Sequence, residues 1–222
     1  MIVAQLKPLQ EIADSVAQYK KVEIVGCGGC VSVCLTGGAR NADQLQRMLS
    51  HPRYYRGQPP LFQVQTIQRQ CEKDFVRAYF APSPETEALL SMACGAGVQT
   101  MAEAFYKLSV IPAMNTTFLG SLDGPGLWSE KCHGCGSCVL ALTGGICPVA
   151  RCAKRLMNGP CGGSSGGKCE VGDHLNCAWH LIIERLKALG RLEDYDKLFP
   201  VKDWSLDRAG GPRTLGHLRT SY

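Results

Sequence analysis

Cysteine spacing constrains this chain more than any other feature. Eight of its thirteen cysteines fall between Cys132 and Cys177, as C-x2-C-x2-C-x8-C-P-x3-C followed by NGPCGG, GKCE and NCAW. A glycine-rich stretch of this kind buries little apolar surface, so its fold has to come from bonds to metal. A looser set, Cys27, Cys30, Cys34, Cys71 and Cys94, occupies the first half. An odd total argues against a fully paired disulphide framework, and thiols this dense read as thiolate ligands.

The rest of the composition sets the scale. With 222 residues, 45% of them apolar, the chain can hold one ordinary domain and a smaller one. A net charge of +5 is too mild to demand nucleic acid. Lys7, Gln10, Glu11 and Asp14 break the apolar character of the N-terminus, and no apolar run reaches the ~20 residues of a membrane span. These features lead us to expect a cytoplasmic protein with neither leader nor membrane span.

Periodicity divides the chain. Leu9, Ile12, Val16 and Tyr19 share a helical face within residues 8–20. Val22 to Val25 reads as a buried strand running into Gly26 and Cys27. Residues 41–50 read as a helix with Asn41 or Asp43 near its cap. A strand is expected over 62–66 and a helix over 97–108, with 85–93 running into Cys94 as part of the same helical stretch. A weaker strand is expected over 110–114. Such alternation predicts a small parallel, Rossmann-like α/β layer. Turn residues from Gly120 to Ser129 mark a boundary. The expected organisation is an α/β domain over 1–120, a cysteine-rich, loop-dominated domain over 121–193 and a tail over 194–222. The second domain closes with a helix over 179–191, and the tail carries Arg208, Arg213 and Arg219 as a basic, partner-docking or solvated segment.

In a parallel layer, strand ends and helix starts meet on one edge. Cys27 and Cys71 follow strands and Cys94 precedes a helix, while Cys30 and Cys34 lie a turn apart. All five are therefore candidates for one site, one thiol more than a four-thiolate centre needs. Cys132, Cys135 and Cys138 carry the rhythm of bacterial ferredoxins, but Cys147-Pro148 arrives after eight residues rather than three. Cys152, Cys161, Cys169 and Cys177 complete a set of eight, enough for two four-iron clusters. Structural zinc, which also takes four thiolates, remains the alternative. His133, His174 and His180 are further candidate ligands. The chain has no G-x-G-x-x-G after a strand, no P-loop, no H-E-x-x-H and no hydrolytic triad.

The strings Cys132-His-Gly-Cys135-Gly-Ser-Cys138, Cys147-Pro-Val-Ala-Arg-Cys152, Asn158-Gly-Pro-Cys161-Gly-Gly, Gly167-Lys-Cys169-Glu and Cys177-Ala-Trp179 together resemble a known family. Arg69-Gln-Cys71-Glu and Ala93-Cys94-Gly-Ala-Gly upstream fit it too. The chain resembles the small iron–sulphur subunit of the acetogen-type methylenetetrahydrofolate reductase, from about Val22 to Leu192. That resemblance implies a non-catalytic, electron-transfer subunit of an oxidoreductase of one-carbon metabolism, the Wood–Ljungdahl pathway. It places all thirteen cysteines in ligand groups, for two or three [4Fe-4S] clusters with zinc as an alternative occupant of one site. Electrons would come from an upstream donor protein. They would pass to the flavin of a separate TIM-barrel subunit, which reduces methylenetetrahydrofolate to methyltetrahydrofolate. Two other readings are a zinc-stabilised scaffold subunit of the same complex and an autonomous reductase.

Overall fold

The computed structural model describes residues 1–207 and 211–213. The chain divides into two compact units, the first ending at Ser129 and the second starting at Glu130.

The first unit is a three-layer α/β fold. The chain runs β1 (Ile2–Leu6), α1 (Leu9–Val16), β2 (Lys21–Cys27), α2 (Cys30–Val33), α3 (Ala39–Leu49), β3 (Leu61–Ile67) and α4 (Lys73–Tyr79). It continues through β4 (Ala88–Ser91), α5 (Gly95–Ala104), β5 (Ser109–Pro112), β6 (Met114–Gly124) and β7 (Leu127–Cys132). A parallel sheet has the order β3-β2-β4-β5. Every residue of β2 is buried, as a central strand covered on both faces requires.

One core joins Ile12, Ala13 and Val16 of α1 with Ala42, Leu45 and Leu49 of α3 against Val22 and Ile24. A second joins Val76 of α4 and Met101 of α5 to Val25 and Leu89. The connections therefore change face between β2 and β4, which makes that pair of strand ends the topological switch point.

The segment 85–93 departs from its expected helical reading. Its apolar run Ala88-Leu89-Leu90 is fully buried between β2 and β5 and forms a strand. A short, continuous apolar run does not distinguish a buried strand from a buried helix by periodicity, and here the parallel pairing decides. Helix α3 starts two residues earlier than expected and is capped by Gly38. Asn41 instead donates to the Leu35 carbonyl. The weak strand at 110–114 is split at Ala113. Its first part closes the parallel sheet, and from Met114 the chain pairs antiparallel with β1 in a separate sheet ordered β1-β6-β7.

The second unit contains α6 (Pro148–Arg151), the short hairpin β8 (Lys168–Cys169) and β9 (Gly172–Asn176), and α7 (Ala178–Ala188). Its buried core is small: Cys177, Trp179, Ile182 and Leu186, with Leu156, Tyr195 and Phe199 packed around them. The indole Nε1 of Trp179 donates to the Leu156 carbonyl. Helix α7 ends as expected: Gly190 takes φ +66°, and Arg191 N–H bonds the Leu186 carbonyl, the pattern of a Schellman cap. Among the described residues no helix is long and apolar enough to cross a membrane.

Candidate metal centres

Four cysteines of the first unit meet at the carboxyl edge of its parallel sheet. Cys27 is the last residue of β2, and Cys30 opens α2 after a two-glycine turn. Cys71 follows β3, and Cys94 is the N-cap residue of α5. All four line one cleft of about 500 Å³, together with Arg69 and Glu72, which are ion-paired at 3.1 Å. The Cys71 thiol pKa is pushed up, first by burial and then by the neighbouring Cys94, Cys27 and Cys30. Each of the other three cysteines is thus near enough to oppose a thiolate at Cys71.

Cys34 does not line that cleft. It is buried, and its Sγ donates to the Ile2 carbonyl at 3.3 Å. Burial raises its pKa before any other cause. The expectation that Cys30 and Cys34 face one edge assumed a continuing helix, but α2 stops at Val33, after a single turn.

One side chain ties the cysteine-bearing loops together. Gln70 is fully buried, and its Nε2 donates to the carbonyls of Val25 at 2.7 Å and Gly26 at 3.1 Å. Its Oε1 accepts from the Ser91 hydroxyl at 2.6 Å, and that hydroxyl in turn accepts from the Ala93 N–H. A residue adjacent to Cys71 is thereby bonded to the strand that ends at Cys27 and to the loop that leads to Cys94. Gly97 leaves room for this arrangement, since a Cβ there would fall 3.0 Å from that of Gln70 and 2.6 Å from that of Ala93.

The eight cysteines of the second unit separate into two further sets. Cys132, Cys135, Cys138 and Cys147 line a cleft of about 280 Å³ with His133 and Lys131. Gly134 and Gly136 take φ of +68° and +82°, backbone open to glycine at little cost, and the Gly134 N–H lies 3.4 Å from the Cys132 sulphur. Cys152, Cys161, Cys169 and Cys177 line a much narrower cleft of about 20 Å³, against Trp179 and Ser164. Lys154 and Glu170 form an ion pair at its edge.

Cys177 is the N-cap residue of α7. Burial raises its pKa, but hydrogen bonds from Ser164 and from the backbone at His180 and Trp179 outweigh that, leaving the thiol below its ordinary value. Helix N–H groups that favour a thiolate have this effect. His174 and His180 line neither cleft of this unit.

The cysteines thus fall into three sets of four, with Cys34 outside them. As their side chains stand, no three His, Cys, Asp or Glu groups among the described residues close on a single ion. Sequence reading missed Gln70 and Ser91. The neighbouring Arg69 and Cys71 drew attention to the segment, but nothing in a lone glutamine announces a buried cross-tie.

The described basic tail lies against its own unit. Lys202 donates to the Ser137 carbonyl, and Arg213 to those of Gly134 and Leu206. Arg208 and Arg219 fall outside the described residues.

Fold and clefts define the class: a two-unit α/β protein with three clefts, each lined by four cysteines. Residues 111–205 match the family described as "Methylene-tetrahydrofolate reductase C terminal". That match takes in every cysteine of the second unit and relates the chain to methylenetetrahydrofolate reductase. No curated protein and no solved structure matches the chain.

Proposed function

We propose that the chain is the electron-transfer subunit of a flavin-dependent methylenetetrahydrofolate reductase. In this reading Cys27, Cys30, Cys71 and Cys94 hold one [4Fe-4S] cluster, and Cys132, Cys135, Cys138 and Cys147 hold a second. Cys152, Cys161, Cys169 and Cys177 hold zinc. The observation that carries the reading is the sorting of twelve thiols into three clefts of four.

Cleft size supports the division between iron and zinc. The two larger clefts, about 500 and 280 Å³, have room for a polynuclear group. The third, about 20 Å³, suits a single tetrahedral ion with thiolates at ~2.3 Å. The lowered pKa of Cys177 supports a standing zinc ligand there.

Bound iron–sulphur clusters supply one-electron chemistry at potentials set by their surroundings. The chain's own part is to hold the thiols in place. At the first cleft, Gln70 and Ser91 tie together the segments that lead to Cys27, Cys71 and Cys94. At the second, Gly134 turns its backbone N–H towards the Cys132 sulphur. The folate and flavin chemistry belongs to a separate TIM-barrel subunit, with electrons delivered by an upstream donor protein.

Iron, sulphide and zinc analysis of anaerobically purified chain, with its visible spectrum, tests this assignment. About eight irons, matching sulphide and one zinc per chain are expected for two clusters and one zinc site. Reduced chain should then reduce the flavin of the partner subunit. Zinc alone, with no visible band, would leave a structural scaffold and remove the electron-transfer role.

A further inference from the structure

Lys202 is a buried cation whose direct partners are neutral. Its side chain is 7% exposed, and its Nζ donates to the Ser137 carbonyl and lies 5.3 Å from the centre of the Trp204 ring. Among the described residues no carboxylate forms an ion pair with it. The adjacent Asp203 turns its carboxylate to the N–H and hydroxyl of Ser205, at 2.9 and 2.5 Å, and attracts Lys202 only as a lesser cause beside those bonds. An ammonium buried against a carbonyl and a ring is disfavoured unless further negative charge lies close by, since Asp203 directs its carboxylate to Ser205.

The surroundings indicate where that anion sits. Ser137 lies between Cys135 and Cys138, and Gly134, whose carbonyl takes Arg213 at 3.1 Å, lies between Cys132 and Cys135. Lys202 and Arg213 therefore bring two cations onto the loop that carries three of the four thiols of the second cleft. The approach is close: a Cβ on Gly136 would fall 2.8 Å from the Leu206 carbonyl oxygen and 2.9 Å from Arg213. Beside the loop, Asp207 lies 3.9 Å from His133. Four thiolates around a metal centre carry surplus negative charge, whether the centre is zinc or a four-iron cluster. At the first cleft Arg69 pairs with Glu72, and at the third Lys154 pairs with Glu170.

We infer that Lys202, assisted by Arg213, is the counter-charge of the thiolate centre at Cys132, Cys135, Cys138 and Cys147, and holds it at a higher reduction potential than the centre of the first cleft. This rests on the assignment of iron to both clefts proposed above. Reduction adds one electron to the centre. No bond breaks, no proton moves, and Lys202 stays an ammonium throughout. A fixed positive charge stabilises the more negative, reduced state, and burial keeps water from screening it.

The test is a potentiometric titration of the full anaerobic chain, poised with dithionite and followed by paramagnetic resonance. A chelator challenge runs beside it. Lys202→Gln should shift one centre to lower potential, leave the other unmoved, and release metal several-fold faster to the chelator. The shifting centre should be the one whose signal is absent in Cys135→Ser. Lys202→Arg should behave as the parent, and Arg213→Gln, at an exposed position, should shift the same centre by less.

Unchanged potentials and release rates in a folded Lys202→Gln would overturn the inference, and so would a shift in Lys202→Arg as large as in Lys202→Gln. Should Lys202→Gln not fold, Arg213→Gln decides by the same criteria. If the second cleft holds zinc, the chelator rates decide. A parent chain with no metal at all would remove the assignment of centres itself, whereas bound metal indifferent to these variants removes only the counter-charge.

Discussion

Cys71 shows how a single titration reports on a site. Its pKa is raised above the ordinary thiol value of 9.0, by burial first and by Cys94, Cys27 and Cys30 next. The folded, metal-free chain therefore prefers the neutral thiol. That contribution to stability is complete below the unfolded pKa and is lost as pH rises through the folded one. Metal-free protein is expected to unfold at lower denaturant concentration at pH 10 than at pH 8. Loading has the opposite sense: thiolates are required, so metal uptake should release protons and weaken as pH falls. At Cys34 the expectation differs. Cys34→Ser should keep full iron in the first unit with a modest loss of stability, whereas Cys27→Ser should lose that iron. Metal analysis of the two variants side by side checks this.

At the scale of elements, the parallel sheet functions as a frame whose carboxyl edge is braced from beneath. Gln70→Leu would remove the bonds to the Val25 and Gly26 carbonyls and leave the Ser91 hydroxyl proton without its acceptor, at about 1–3 kcal/mol for a buried group left unpaired. A lower melting temperature is expected, with iron lost from the first cleft and metal retained in the second unit. In that second unit the corresponding brace is α7, which buries Trp179 beside Phe199 at 5.9 Å between ring centres. Trp179→Ala should cost ~3–5 kcal/mol, read from denaturant unfolding of metal-loaded protein. Close packing gives a second probe: a Cβ on Gly159 would fall 2.4 Å from the indole ring.

The two units of the whole molecule differ in how they are held together. The first has two buried cores on either face of a sheet, while the second has one small cluster around α7. Removing metal should therefore unfold the second unit and spare the first. Limited proteolysis of chelated protein is expected to leave a fragment ending near Ser129, with loaded protein intact. Cleavage within both units at equal rates would contradict that division.

The fold of the first unit was legible where apolar periodicity was strong, as in α1, β2 and the helix after Cys94. It was not legible at 85–93, because short apolar runs take their form from the strands beside them; at 110–114 the strand was legible, but not its split between two sheets. The three helical or strand elements that carry Cys27, Cys71 and Cys94 could be placed on one edge from topology rules alone. Residue spacing fixed how many thiols there are and that they cluster in two regions. Which four share a cleft depends on contacts between residues far apart in the chain, such as Cys27 with Cys71 and Cys94, and so only the tertiary structure decided it. The same holds for Gln70 and Lys202: a polar side chain in a sequence carries no mark of being buried, and its role arises from what folding brings against it.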